Sequence, residues 1–138
     1  MNFFKSISFL IIGLLICSCS SEIVEMNEGE KYLANKIGAE WTSIGLTQSE
    51  SKTNGQVTEN RTYIDIVIKQ SEDIDKIFED TKYAEKRTKN VAQFVLDSLQ
   101  FGEMSFKPEE IQVEYVKESG FLIFKSEKKQ SMSYKLNK

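Results

Sequence analysis

Apolar positions recur along this chain with two different spacings, and the spacing divides it into elements. From Asn27 to Glu40, Leu33 and Ile37 lie four apart with Tyr32 beside them; this predicts a helix capped by Asn27 and ended by Gly38. Trp41–Ser51 and Val57–Lys69 read as two strands of a hairpin around Asn54-Gly55, since both central residues of a type I′ turn need positive φ. In the second arm Ile64, Ile66 and Ile68 share one face, and Tyr63, Asp65, Val67 and Lys69 share the other. Ile74, Ile77, Phe78, Ala84, Val91, Ala92, Val95 and Leu99 form a stripe at helical spacing, predicting a long helix over Ser71–Gly102 with a weak point near Thr81. Ile111–Lys117, Phe121–Glu127 and Ser131–Leu136 read as three short strands, separated by Glu118-Ser119-Gly120 and by Glu127–Gln130.

The order is therefore α-β-β-α-β-β-β. Hairpin runs with helices set between them predict an α+β fold: an antiparallel sheet of about five strands with two helices on one face. The half-polar alternation of the strands predicts that the other face is wet.

The first twenty residues follow neither pattern. Ile7–Ile16 is apolar apart from Ser8 and Gly13, preceded by Lys5 and followed by Cys17 and Cys19, the chain's two cysteines. Ten residues make a helix of about 15 Å, short of the ~30 Å hydrocarbon core and the right size for a signal-peptide core. A disulfide across one intervening residue is geometrically demanding. A metal site would lack two of its usual four ligands, and a redox pair is normally spaced C-x-x-C. Processing accounts for more of the context. Ile16-Cys17-Ser18-Cys19 resembles the lipobox of bacterial lipoproteins: an aliphatic residue, two small residues and a cysteine. If Cys17 were the modified residue, Ile16 would stand where a small residue is wanted, so the resemblance assigns the lipid to Cys19. It implies a thioether-linked diacylglycerol there and removal of residues 1–18. The lipidated cysteine and a short spacer with a polar start then occupy 19–27, and the length of the mature chain suits a single domain, over 28–138. Ser20 is not the aspartate that marks inner-membrane retention in the enterobacterial scheme, which favours an outer-membrane address in a two-membrane host.

Composition narrows the chemistry. Loss of residues 1–18 removes one charge, Lys5, and takes the net charge from −3 to −4. That balance lacks the basic surface of a nucleic-acid binder. The chain has no histidine, which rules out His-based triads and His-ligated metals, and a lipidated Cys19 would leave no thiol nucleophile. Neither GxGxxG nor GxxxxGK[ST] occurs, so no phosphate loop is indicated. Glu72/Asp73, Glu79/Asp80 and Glu109/Glu110 are adjacent acids, and neighbours on a helix do not face each other as an acid–base pair must. "DIDKIFED" lacks the glycine and terminal acid of an EF-hand loop. Asp65 is a charge on the wet face of its strand. Trp41, Tyr63, Tyr115, Phe121, Phe124 and Tyr134 all fall on strands. They are core aromatics or, if several share the open face, a recognition surface. The basic clusters "EKRTKN" and "KSEKK" are solvated faces or contacts for anionic lipid headgroups.

The expectation is a membrane-anchored lipoprotein of the bacterial cell envelope. Its domain is expected to be a non-catalytic binding module, without cofactor, metal or nucleic acid, that meets the membrane through its anchor and an envelope protein through its surface. A domain with a pocket for a small molecule or lipid, and an envelope inhibitor or immunity-like protein, are the competing expectations.

Overall fold

The computed structural model describes residues 24–98, 107–121 and 124–136. Cys17, Cys19 and Gly102 lie outside them. Three helices and four strands follow in the order α1 (Glu28–Ile37), β1 (Ala39–Thr53), β2 (Gln56–Ser71), α2 (Ile74–Glu79), α3 (Thr81–Ser98), β3 (Glu110–Phe121) and β4 (Phe124–Lys135). The strands form one sheet in sequence order, β1-β2-β3-β4.

The local signals explain the first half. Asn27 accepts from the Glu30 amide while the Glu30 carboxylate accepts from the Asn27 amide, a complete capping box. Gly38, at φ 66°, ends the helix in the left-handed region, and its amide donates to the Ala34 carbonyl. Asn54 (φ 52°) and Gly55 (φ 80°) turn β1 into β2 as their pairing demands.

Three expectations need correction. The sheet is mixed and four-stranded, because β2 and β3 run parallel, with Ile64 opposite Ile111 and Ile68 opposite Tyr115. Parallel neighbours need a crossover, and α2–α3 provides it, returning the chain to the middle of β2, at Thr62. There the Glu109 amide donates to the Thr62 carbonyl at 2.8 Å, and the Thr62 hydroxyl donates to the Lys107 carbonyl at 3.1 Å. The long helix is two helices, parted at the weak point expected near Thr81. Ser71 is still strand, Asp80 is extended between α2 and α3, and the Asp80 carboxylate accepts from the Tyr83 amide. The three last strands are one long hairpin. β3 continues through Glu118-Ser119-Gly120 and β4 through Glu127–Gln130, pairing from Glu110↔Lys135 to Phe121↔Phe124. That stretch is polar on both faces because it projects past the body, where neither face is covered, so its composition mimics a turn.

The core lies between the helices and one sheet face. Ile64, Ile66, Ile68, Ile111, Val113 and Tyr115 meet Leu33, Ile37, Ile77, Val91 and Val95 in a single cluster. The isoleucine triad of β2 is therefore the inward face, as its alternation predicts, and Tyr63, Asp65, Val67 and Lys69 are half-buried on the outer one.

The parallel β2–β3 pair also sets the two hairpins in opposite directions. The β1–β2 turn lies beyond the N-terminal end of β2, and the β3–β4 turn lies beyond the C-terminal end of β3. Each hairpin outruns the other pair, giving the domain two arms at opposite poles.

Candidate functional site

Three regions carry exposed or unusual chemistry: the open sheet face, a buried polar node at the C-terminal end of β2, and the two arms.

On the open face, register sets polar side chains in rows. Gly45, Asp65, Gln112 and Ser133 form one row, and Ser43, Val67, Glu114 and Ser131 the next. Ion pairs and hydrogen bonds knit them together. Arg61 pairs with Glu110, Lys69 with Glu118 at 3.4 Å, and Lys129 with Glu114 at 3.5 Å; Gln112 donates to Asp65 at 3.5 Å. The Arg61 and Lys69 cations also lie 5.3 Å from the ring centroids of Tyr63 and Trp41. Partial burial, then the nearby Glu114 charge, raise the Asp65 carboxyl above its ordinary pKa, while the Gln112 bond works against them.

The node lies where β2 hands over to α2. Gln70 adopts φ 50°, a left-handed conformation unusual for its residue type, and its side-chain oxygen accepts from the Glu118 amide at 2.9 Å. Next, Ser71 is 3% exposed and its hydroxyl has no partner among the described residues. Arg87 reaches down from α3. Its Nε lies 2.9 Å from Asp73 Oδ2, and its Nη2 donates to the Ile37 carbonyl at 3.1 Å, satisfying the end of α1. The Tyr83 hydroxyl donates to the same Asp73 oxygen at 2.9 Å, which raises its pKa. Asp73 Oδ1 is buried with no partner among the described residues. One ion pair thus ties α1, α3 and the start of α2 together. Deeper in, the Thr88 hydroxyl bonds the Ala84 carbonyl at 2.7 Å and lies 3.3 Å from the Tyr115 hydroxyl, whose pKa burial pushes up to about 12. Beside the node, an open depression of about 610 Å³ is lined by Ala34, Asn35, Gly38, Glu40, Ser71 and Glu72, among others.

The β1–β2 arm is exposed throughout Gln48–Asn60 and polar apart from Val57. The β3–β4 arm ends differently, with Phe121 and Phe124 each 78% exposed.

No family model, curated protein or solved structure matches this chain. Geometry and sequence therefore carry the functional reading alone.

The structure separates the residues singled out from sequence. The attachment residue Cys19 lies outside the described residues. The aromatics do not share one surface: Trp41 and Tyr63 lie on the open face, Tyr115 is core, Tyr134 packs against the core from β4, and Phe121 and Phe124 flank the arm tip. Of the acidic pairs, Glu72 turns over Gly38 while Asp73 joins the node, and Glu110 pairs with Arg61. Among the described residues no group of three or more Cys, Asp or Glu is placed to hold a metal ion. Sequence reasoning missed Arg87. Its signal was its place beside the buried stripe Ala84, Thr88, Val91 and Val95, where a half-buried cation requires a partner.

Proposed function

We propose that this chain is a lipid-anchored lipoprotein of the bacterial cell envelope, and that its domain is a non-catalytic interaction module. The anchor rests on Ile16-Cys17-Ser18-Cys19 and the short apolar run before it. The observation that supports an interaction role is the β1–β2 arm. A two-stranded ribbon is marginal in water without further cover, yet Gln48–Asn60 extends past the sheet body with every residue exposed. Its hydroxyls and amides, with Glu50, Lys52 and Glu59, offer a polar surface for a protein partner. The interlocked core favours this reading over an enclosed ligand pocket, because Ile64, Ile66, Ile68 and Val95 are 0–2% exposed where helix meets sheet.

Crosslinking the full-length protein in its native cells tests the proposal. One dominant partner, captured from positions on the β1–β2 arm and lost with Cys19→Ala, is the expected result. Absence of any reproducible partner overturns it and leaves the open depression beside Ser71 as the basis for a small-ligand reading.

A further inference from the structure

The β3–β4 arm ends in an apolar pair that contributes nothing to the core. Phe121 and Phe124 are directly opposite each other, so their side chains leave the same face of the ribbon. Each is 78% exposed, the highest exposure among the large apolar residues described. The tip is shaped around them. Gly120 has φ 132°, and a Cβ placed there would lie 1.9 Å from the Phe124 carbonyl oxygen, so only glycine allows the strands to close. Behind the tip, Lys125 and Lys128 are exposed and make no ion pair among the described residues. A pair of aromatic rings with lysines just behind is the arrangement that seats at a lipid–water interface. The rings enter the headgroup boundary and the cations meet anionic headgroups.

The position of Val24, the first of the described residues, selects a lipid surface as the occupant. Val24 is held beside the start of β1, where the Trp41 indole donates to its carbonyl at 3.4 Å and the Thr42 amide lies 3.2 Å from Met26 Sδ. Trp41 is in register with Lys69, and Lys69 with Val116. Val24 therefore lies near the C-terminal end of β2, the pole from which the β3–β4 arm projects. From Val116 to Phe121 is five residues, about 16 Å at ~3.3 Å per strand residue. From Val24 back to Cys19 is also five residues, a reach of at most ~18 Å. A lipid on Cys19 is thus within the same reach of this pole as the tip of the arm, and both can meet one plane.

We propose that the β3–β4 arm tip, through Phe121 and Phe124 with Lys125 and Lys128, is a second membrane contact that seats on the lipid surface tethering Cys19. This rests on the lipoprotein reading. Two contacts fix the domain's orientation, point the β1–β2 arm away from the bilayer and present it to its partner.

Lipidation of Cys19 would block the last thiol of the mature chain, so an introduced cysteine can be labelled alone. Phe124→Cys and, at the opposite pole, Asn54→Cys are labelled with the environment-sensitive dye NBD in the full-length lipidated protein. Both are reconstituted in vesicles of phosphatidylethanolamine and phosphatidylglycerol that hold no other protein. The expected result is blue-shifted, several-fold brighter emission at position 124, quenched by nitroxide-bearing lipids, and water-like emission at position 54. Water-like emission at both positions overturns the proposal, as does a blue shift at 124 that appears only in native membranes, which would assign the tip to a protein. The intact mass of the same sample reports acylation independently. If Cys19 proves unmodified, the two labels are placed in a Cys17→Ser, Cys19→Ser chain and mixed with the same vesicles. A shift at 124 then supports the arm contact without the anchor, and no shift overturns it.

Discussion

Replacing Arg87 by methionine should destabilise the domain more than any change on its open face. The methionine keeps most of the apolar stem and removes the guanidinium. Two interactions go with it: the 2.9 Å pair with Asp73 and the 3.1 Å bond to the Ile37 carbonyl. The pair's side chains are 24% and 19% exposed, between the surface regime, where such pairs contribute ~0–1 kcal/mol, and the buried one, where removing a partner costs ~3–5 kcal/mol. About 2 kcal/mol is the expected loss from stranding Asp73, whose Oδ1 already lacks a partner among the described residues. The bond that satisfies the end of α1 adds about 1 kcal/mol. The total of about 3 kcal/mol is a large share of the ~5–15 kcal/mol that holds a domain folded. Urea unfolding followed by Trp41 fluorescence and by circular dichroism measures it, with the two probes coincident and the m-value unchanged. Asp73→Asn in the Arg87→Met background should recover part of the loss, because no unpaired charge remains; the double-mutant cycle isolates that coupling. An Arg87→Met loss below about 0.5 kcal/mol, the ordinary range for surface substitutions, or strictly additive losses in the cycle, would refute the reasoning.

Further outcomes follow from the same geometry. The Tyr115 hydroxyl, pushed up to about 12 by burial, should stay protonated in the native state while the unfolded chain ionises near the ordinary tyrosine value of 10.0. Stability therefore falls as pH rises through that interval, and Tyr115→Phe should flatten the fall in urea midpoints measured across it. Asp65 has its native pKa raised, so the folded state binds its proton more readily than the unfolded one. Stability contributed by that proton is present in acid and lost as pH rises through the raised value. Asp65→Asn should melt at the same or a higher temperature than the parent at neutral pH, and the difference should shrink as the solution is acidified; a clear loss at neutral pH would contradict the stated cause. Gly120→Ala should disturb only the arm: amide exchange should quicken at Ser119 and Lys125 while Ile66 and Val113 keep their protection. Cooperative loss of the whole sheet would show that the arm is part of the folding unit.

The sequence made the body of the fold legible where one face is buried. Ile64, Ile66 and Ile68 alternate because only their face meets the helices, and Asn54-Gly55 and the Asn27–Glu30 box act locally, so no distant contact is needed to recognise them. The parallel β2–β3 pair was not legible in the same way. Its cause is the return path of α2–α3, a property of the chain's course rather than of any short window. The strand through Glu118–Gly120 was hidden for a related reason. In an arm beyond the body, neither face is buried, alternation disappears, and a polar ribbon reads as a turn. The candidate site divides similarly. Cys19 is carried by a contiguous motif, whereas the Asp73–Arg87 pair and the Phe121–Phe124 tip come together only through tertiary placement, and the tip became recognisable once β3 and β4 were seen to close across it.

The anchor is the central claim, since the orientation of both arms depends on it. Intact-mass and N-terminal analysis of the protein purified from its own membranes tests it most directly. The account predicts a chain beginning at Cys19, with residues 1–18 removed and a diacylglycerol thioether on that residue. A mature chain that retains Ser18, or that begins at an unmodified Cys19, would contradict it.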